Sequence, residues 1–266
     1  MCEKKKVVLV TGASSGIGLE LARQFAMHGN DLVLVARRQN RLSALAKELN
    51  RDYGARCVEI CTDLSDIDAA EKIYEFCHNR GIDVDILINN AGFGANDIFL
   101  NQSTDVLNKM LLVNIMSLTQ LTRMFLPAMR ERGSGGVLNV ASTGAFQPGP
   151  YIAVYYASKA YVLSFTCALA SEMHGTGVRI SCLAPGPVDT EFRTIAGISP
   201  GGLLRKFGEL SAEKVAECAY LGFEKGRTII VPGIVNKLGV WGLRFVTRRA
   251  AARMAGSVNK KENEFT

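Results

Sequence analysis

Short apolar runs recur along this chain at regular intervals, each followed by an amphipathic stretch, and that alternation restricts the fold more than any other feature. Val7–Val10, Leu32–Val35, Ala55–Cys61, Val84–Ile88, Val137–Val140, Val178–Leu183 and Arg227–Val231 read as strands. The stretches between them have helical spacing: Ile67, Ala70, Ile73, Tyr74 and Cys77 fall on one helix face. Gly29, Gly54, Gly81 and Gly133 follow such stretches, where a helix is readily closed. Strand and helix in strict alternation imply parallel strands joined by crossover helices, with helices on both faces of the sheet. The expected fold is a single doubly wound α/β sheet of about seven strands. At 266 residues the chain is near the upper end of what one core supports, and its 48% hydrophobic content suits strands buried on both faces.

Composition excludes several classes. No apolar run reaches the roughly 20 residues that span a bilayer. The Lys4–Lys6 and Val7–Val10 start is too short for a signal peptide and is interrupted by Thr11-Gly12. A cytoplasmic protein is expected. The seven cysteines are odd in number and contain no Cys-x-x-Cys, which points to reduced thiols and no metal site. His28, His78 and His174 each sit near a helix end, as surface or capping residues do. Residues 237–266 hold seven basic and two acidic residues, +5 of the net +6, so the rest of the chain is almost neutral. No basic patch is left there to neutralise nucleic-acid phosphates.

Thr11-Gly12-Ala13-Ser14-Ser15-Gly16-Ile17-Gly18 follows the first strand and opens the first helix. Gly12 permits a tight turn, Gly16 lets backbone approach a phosphate, and Gly18 allows close helix–strand packing. The helix N-terminus presents free N–H groups to a pyrophosphate, as in a Rossmann-type dinucleotide site. The second strand runs into Arg37 and Arg38, and Arg37, 19 residues after Gly18, stands near where a carboxylate would hold the ribose 2′-hydroxyl of NAD and is expected to set the cofactor choice. Arginine there can pair with a 2′-phosphate, and the hydroxyls of Ser14 and Ser15 can add to it, so NADP(H) is the expected cofactor. Asp63, followed by Leu64 at the end of the third strand, either accepts from the adenine amino group or caps a helix beginning near Ser65.

Tyr155 and Lys159 lie four residues apart and so share a helix face. A ketone receiving a hydride needs a proton donor at its oxygen. A phenol of ordinary pKa about 10, lowered by about 1–3 units by a nearby ammonium, meets that need. Ser142 ends the fifth strand at the carboxyl edge of the sheet, where its hydroxyl can orient the substrate oxygen or simply form a turn. Asn114 lies inside the apolar helix Val106–Met129, where a buried amide must find partners.

Thr11–Gly18, Asn89-Asn90-Ala91-Gly92, Asn114, Ser142, Tyr155-x-x-x-Lys159, Pro185-Gly186 and Thr190 occur in an order and spacing that resembles the short-chain dehydrogenases/reductases, from Lys6 to about Pro232. The branch it resembles most contains 3-oxoacyl reductases and related NADP-dependent reductases. The resemblance implies an oxidoreductase acting on a CH–OH group, with Tyr155 as general acid/base and Lys159 on the nicotinamide ribose. It implies that Asn114 bends its helix and relays protons to Lys159 through water. Asn90, Ala91 and Gly92 would meet the cofactor mainly through backbone, as would Val188 after Pro185-Gly186, with the Thr190 hydroxyl at the carboxamide. It also implies a homotetramer or dimer built on the helices Val106–Met129 and Ala153–Met173.

Phe192, Ile195, Ile198, Leu203, Leu204 and Phe207, with Phe93 and Phe146 nearby, form an apolar set suited to an acyl chain, steroid or aromatic ketone. A non-catalytic NADP(H)-binding regulator or redox sensor is the alternative, though such a protein has little use for an intact Asn114–Ser142–Tyr155–Lys159 set. Residues 1–236 are expected to form the catalytic domain and 237–266 a basic extension of it. In that extension Leu238, Trp241 and Phe245 have the spacing of one helical stripe flanked by arginines. It reads either as a contact for anionic lipid or an acidic acyl-carrier protein, or as an arm packed on the protein itself.

Overall fold

The computed structural model describes residues 5–197 and 208–260. Its seven strands are β1 (Val7–Thr11), β2 (Asp31–Ala36), β3 (Cys57–Cys61), β4 (Ile86–Asn89), β5 (Gly136–Val140), β6 (Arg179–Leu183) and β7 (Ile229–Ile230). They pair in parallel in the order β3-β2-β1-β4-β5-β6-β7. Chain order reverses between β1 and β4, which opens a crevice at their carboxyl ends.

Strand alternation divides the core. Val8, Val10, Leu32, Leu34, Ile86 and Ile88 face one side, and Leu9, Val33, Val35 and Leu87 the other. The first side is covered by α1 (Gly16–Met27), α2 (Gln39–Tyr53) and α8 (Ala212–Glu224) through Leu21, Phe25, Leu42, Leu49 and Phe223. The second is covered by α3 (Ala69–Asn79) and α5 (Leu118–Arg132) through Ile73, Cys77, Leu121 and Phe125. Ile67 does not join that face: α3 starts two residues later, and Ile67 is 71% exposed. The helix α6 (Ala153–Glu172) buries Val162 beside Leu118, Ala141 and Cys182.

The helix expected over Val106–Met129 is continuous but not uniform. It runs as α4 (Thr104–Leu111), a π-turn (Leu112–Ser117) and then α5. Pi-turns occur where an extra residue must be accommodated, frequently at functional sites. Asn114 is in this one.

The C-terminal part is two helices, and the stripe of Leu238, Trp241 and Phe245 lies on the first and the turn after it. Helix α9 (Ile234–Gly242) crosses the boundary drawn at residue 236 and gives way to a 3-10 turn (Leu243–Phe245). Helix α10 (Arg248–Asn259) then begins with the Thr247 hydroxyl accepting from the Ala250 N–H. Ala251, Ala255 and Gly256 of α10 are buried, and Gly256 lies against Pro150. The Asn259 amide donates to the Pro150 carbonyl at 3.3 Å, and the Asn96 amide donates to the Asn259 carbonyl at 3.0 Å. These bonds brace a turn in which Tyr151 has φ +68°, a conformation that costs a bulky residue about 1–3 kcal/mol. Ending the chain at Thr247 removes this brace. The expected result is a Tm lower by several degrees, measured by thermal unfolding, whereas an arm without structural weight would leave Tm unchanged.

Candidate active site

The glycine loop is held by the protein's own bonds. The Thr11 hydroxyl accepts from the N–H groups of Asn90 (3.0 Å) and Ala91 (3.1 Å), and the Asn90 amide donates to the Thr11 carbonyl at 2.9 Å. Gly12 and Gly16 have φ of +68° and +56°. A Cβ on Gly18 would lie 2.4 Å from the Gly12 carbonyl oxygen, so only glycine lets helix and strand approach this closely. Ile17 packs against the core beneath the loop. Ser15 precedes α1 in extended conformation and makes no side-chain cap bond, so the helix N-terminus can take an anion. Thr190 faces Gly16 across the crevice.

The two arginines after β2 separate. Arg37 is exposed and pairs loosely with Asp63 at 3.5 Å. Asp63 accepts from the Ser65 N–H at 2.9 Å but caps a turn, since α3 begins only at Ala69. Burial opposes ionisation of the Asp63 carboxyl, and the bonds from Ser65 and Arg37 outweigh it, so its pKa is lowered. Leu64 is buried, and its carbonyl accepts from the Ser117 hydroxyl at 2.7 Å. Arg38 turns onto the glycine loop instead. It donates to Ser15 Oγ at 2.8 Å and to Ser14 Oγ at 3.1 Å. Glu191 meets the same group, accepting from Arg41 at 2.6 Å and Arg38 at 2.8 Å, which holds its carboxyl down at about 2. Neither Glu191 nor Arg41 stands out in the sequence. They are 150 residues apart, and only the fold brings them together.

The catalytic candidates converge at the carboxyl edge beside β5. The Ser142 hydroxyl accepts from the Gly144 N–H at 3.1 Å and lies close enough to Tyr155 to lower the phenol's pKa, so it serves both the turn and the tyrosine. The Tyr155 ring stands 5.1 Å from that of Phe192 and 5.8 Å from Lys159 Nζ. Neighbouring Tyr156 is packed against Gly144 and Gly149, a structural position that separates the two tyrosines. Lys159 Nζ is buried and donates to the Val140 carbonyl at 2.8 Å. Asn114 is fully buried. Its amide donates to the Phe93 carbonyl (2.9 Å) and Ser158 Oγ (3.0 Å), and its carbonyl oxygen accepts from the Phe93 N–H at 3.1 Å. Ser158, which sequence reasoning missed, passes this on by donating to the Tyr155 carbonyl at 2.7 Å. Its signal was its place within the Tyr155–Lys159 turn. A Cβ on Gly92 would come 3.1 Å from both Asn114 Oδ1 and Lys159 Nζ, so glycine keeps a gap open between them.

Other expected positions have structural parts. The Pro185 carbonyl accepts from the Thr143 N–H at 2.8 Å, Gly186 lies against Asn236, and Val188 bridges to Leu210. Of the apolar set, Phe192 faces Tyr155, while Phe93 and Phe146 pack toward the core. Ile198, Leu203, Leu204 and Phe207 lie outside the described residues, as does the Ile195 side chain.

Electrostatics departs from one expectation. Burial drives the Tyr155 pKa well above its ordinary value of 10, the Ser142 hydrogen bond lowers it, and the expected lowering by Lys159 does not prevail. Tyr155 therefore holds its proton. Burial also brings Lys159 down from 10.5 to about 8.

Comparison with known proteins identifies the family. The profile of the short chain dehydrogenases matches residues 6–197. The chain belongs to the short-chain dehydrogenase family. It is 38% identical over 188 residues to a short chain dehydrogenase of Pseudocercospora fijiensis, covering 70% of this chain and 60% of that protein. It is 34% identical over 194 residues to very-long-chain 3-oxoacyl-CoA reductase-B of Danio rerio, covering 71% and 62%. The chain thus spans about three fifths of these curated relatives' length. A short-chain dehydrogenase from Sphingobium yanoikuyae in complex with NADPH superposes with TM-score 0.79 at 29% identity, covering 93% of this chain and 98% of that one. A family member from Burkholderia phymatum in complex with NAD also gives TM-score 0.79, at 25% identity, covering 90% and 92%.

The buried lysine has a pH signature. Below pH 8 the folded protein bears the cost of a buried ammonium. Between pH 8 and 10.5 only the unfolded chain keeps that proton, so this contribution to stability improves as pH rises. Lys159→Met should therefore stabilise the protein at pH 7 by about 1–3 kcal/mol, less the bond lost at Val140. Denaturant unfolding should show that advantage fading by about pH 10. An advantage that grows with pH would refute the assignment.

Proposed function

We propose that this protein is an NADP(H)-dependent reductase of apolar carbonyl compounds, with Tyr155 as the proton donor. One observation carries the reading: Tyr155, with Ser142 and Lys159 beside it, sits on the carboxyl edge of a sheet whose glycine loop leaves a helix N-terminus uncapped as a ready anion site. The cofactor fits the donor set: the uncapped α1 N-terminus with Gly12, Gly16 and Gly18 suits a pyrophosphate, and Arg38 with Ser14 and Ser15 suits a 2′-phosphate. Arg37 and Asp63, with the backbone of Leu64, Asn90, Ala91 and Gly92, would hold the adenosine end. Lys159, Thr190 and the backbone of Pro185, Gly186 and Val188 would hold the nicotinamide end. When bound, nicotinamide supplies or accepts the hydride.

The chain's own residues manage the proton. Ser142 orients the carbonyl oxygen, and Tyr155 gives it the phenolic proton as negative charge develops. The Lys159 ammonium, charged below pH 8, stabilises the phenolate left behind. Asn114 positions Ser158 and Phe93, and the gap at Gly92 admits a water through which Tyr155 and Lys159 are reprotonated. Phe192 beside Tyr155, and relatives that include a very-long-chain 3-oxoacyl-CoA reductase, favour an acyl or similarly apolar ketone. Free cysteines suit a reducing cytoplasm. Exposed Leu111, Met116 and Tyr161 on the α4–α5 and α6 helices are a fitting dimer or tetramer surface.

Tyr155→Phe should cut kcat by about 10²–10⁴ while leaving NADPH affinity nearly intact, because it removes a proton and almost no contact area. NADPH consumption with a panel of long-chain, aromatic and steroid ketones measures this, and a mutant retaining more than a tenth of wild-type kcat would be decisive against Tyr155. Cofactor choice is tested separately by initial rates with both nucleotides. Arg38→Ala should raise the KM for NADPH about tenfold or more and barely alter that for NADH. Glu191→Gln should act oppositely, tightening NADPH about 2–5-fold, since its carboxylate competes with the phosphate for Arg38 and Arg41. Weaker NADPH binding in Glu191→Gln would mean that the carboxylate closes over the cofactor instead.

A further inference from the structure

Large apolar side chains are exposed on one continuous strip of the C-terminal region. Ile234, Leu238 and Trp241 occupy positions i, i+4 and i+7 of α9, and Phe245 continues the strip from the following turn. They are 68%, 61%, 57% and 73% exposed. The Trp241 and Phe245 rings meet edge to face at 4.9 Å, making one apolar knob. A strip of this size left in water marks an interaction surface.

Charge identifies what covers it. From Lys225 to Lys261 the chain has nine basic residues and no acidic one, whereas the remainder has 22 basic and 25 acidic. Lys237, Arg244, Arg248, Arg249 and Arg253 are exposed and form no ion pair with any described carboxylate. A second copy seated symmetrically on the strip would bring two such cationic segments together, which is repulsive. An apolar interior beneath an anionic surface is the complementary partner, and that is a bilayer containing acidic lipids.

We propose that the α9 strip lies in the interface of an anionic membrane, with Trp241 and Phe245 at the headgroup boundary and the arginines on lipid phosphates. No described helix is long and apolar enough to cross a membrane, and the contact proposed is that of this strip with the membrane surface. Its placement gives it a use. The Asn236 amide, on α9, donates to the Gly208 carbonyl at 2.9 Å and abuts Gly186, and α9 also packs on the turn that follows Ser142. The docked face is therefore beside the catalytic edge. The docking itself holds whatever the substrate is.

Trp241 is the chain's single tryptophan, so its fluorescence reports on the strip without labelling. The full-length protein is titrated with phosphatidylcholine vesicles, alone or with about one third phosphatidylglycerol, and flotation is run alongside. A blue shift and co-flotation are expected with the anionic vesicles only, with binding weakened about tenfold or more at ~0.5 M salt. Ile234→Glu/Leu238→Glu should abolish both signals with Tm unchanged, because these side chains are already in water. Arg248→Glu/Arg249→Glu should lose the preference for anionic lipid. Absence of shift and flotation overturns the proposal, as does equal, salt-insensitive binding to neutral vesicles. Emission already blue without vesicles, in a dimer that Ile234→Glu/Leu238→Glu dissociates, overturns it in favour of a second copy.

Discussion

The buried amide of Asn114 must be satisfied, and satisfying it organises the catalytic end of the molecule. A polar group left unpaired there would cost about 1–3 kcal/mol. Its three bonds join the backbone of Phe93, after β4, to Ser158 on α6. Ser158 bonds to the Tyr155 carbonyl, and Lys159 ties α6 to β5 through Val140. Two helices and two strand ends are thereby fixed in relation to one another before any ligand binds. The π-turn is the backbone form in which Asn114 occupies this position. A second polar chain lies deeper: Asn89 donates to Thr122 and Asn139, and Asn139 donates to Thr166.

The nucleotide end is organised by different means. Thr11 and Asn90 pin the glycine loop to the start of the segment after β4, so its shape is prepared in advance. The short helix α7 (Glu191–Ile195) touches both ends of the crevice. Glu191 reaches Arg38 and Arg41, and the next residue, Phe192, lies on Tyr155. The carboxylate is exposed and its pairing modest, as surface ion pairs are. It nevertheless couples the charge near the glycine loop to the residue that covers the tyrosine.

Much of this was legible in the sequence, for physical reasons that also explain the gaps. Parallel strands buried on both faces leave continuous apolar runs, so all seven strands could be found within a few residues of their ends. Tyr155 and Lys159 share a helix face by spacing alone, and the glycine pattern places the loop. The π-turn was not legible, because Leu112–Ser117 has no composition that distinguishes it from the helix around it. Glu191 and Arg41 meet only through tertiary folding. The expected lowering of the Tyr155 pKa failed because charge spacing is visible in a sequence and desolvation is not. Ile67 fits the helical period of α3 but precedes its first turn, and period alone does not mark a start.

The C-terminal region shows why periodicity cannot decide what a helix packs against. Both α9 and α10 carry an apolar pattern, yet they behave oppositely. The buried face of α10 consists of Ala251, Ala255 and Gly256, small enough to bring its backbone against Pro150 and let Asn259 reach the Pro150 carbonyl. Helix α9 presents Ile234, Leu238 and Trp241 away from the body and meets it through Asn236, a polar residue that bonds to Gly208 and Pro232. Side-chain size and the location of hydrogen-bond acceptors sort the two helices, and hydrophobicity does not. The difference bears on catalysis. Helix α10 braces the strained Tyr151 turn from which α6 starts, so the segment holding Tyr155 and Lys159 is fixed at its N-terminal end by the C-terminal helix α10. Because α10 supplies that support, α9 is left free to present its apolar side chains outward without loosening the catalytic helix.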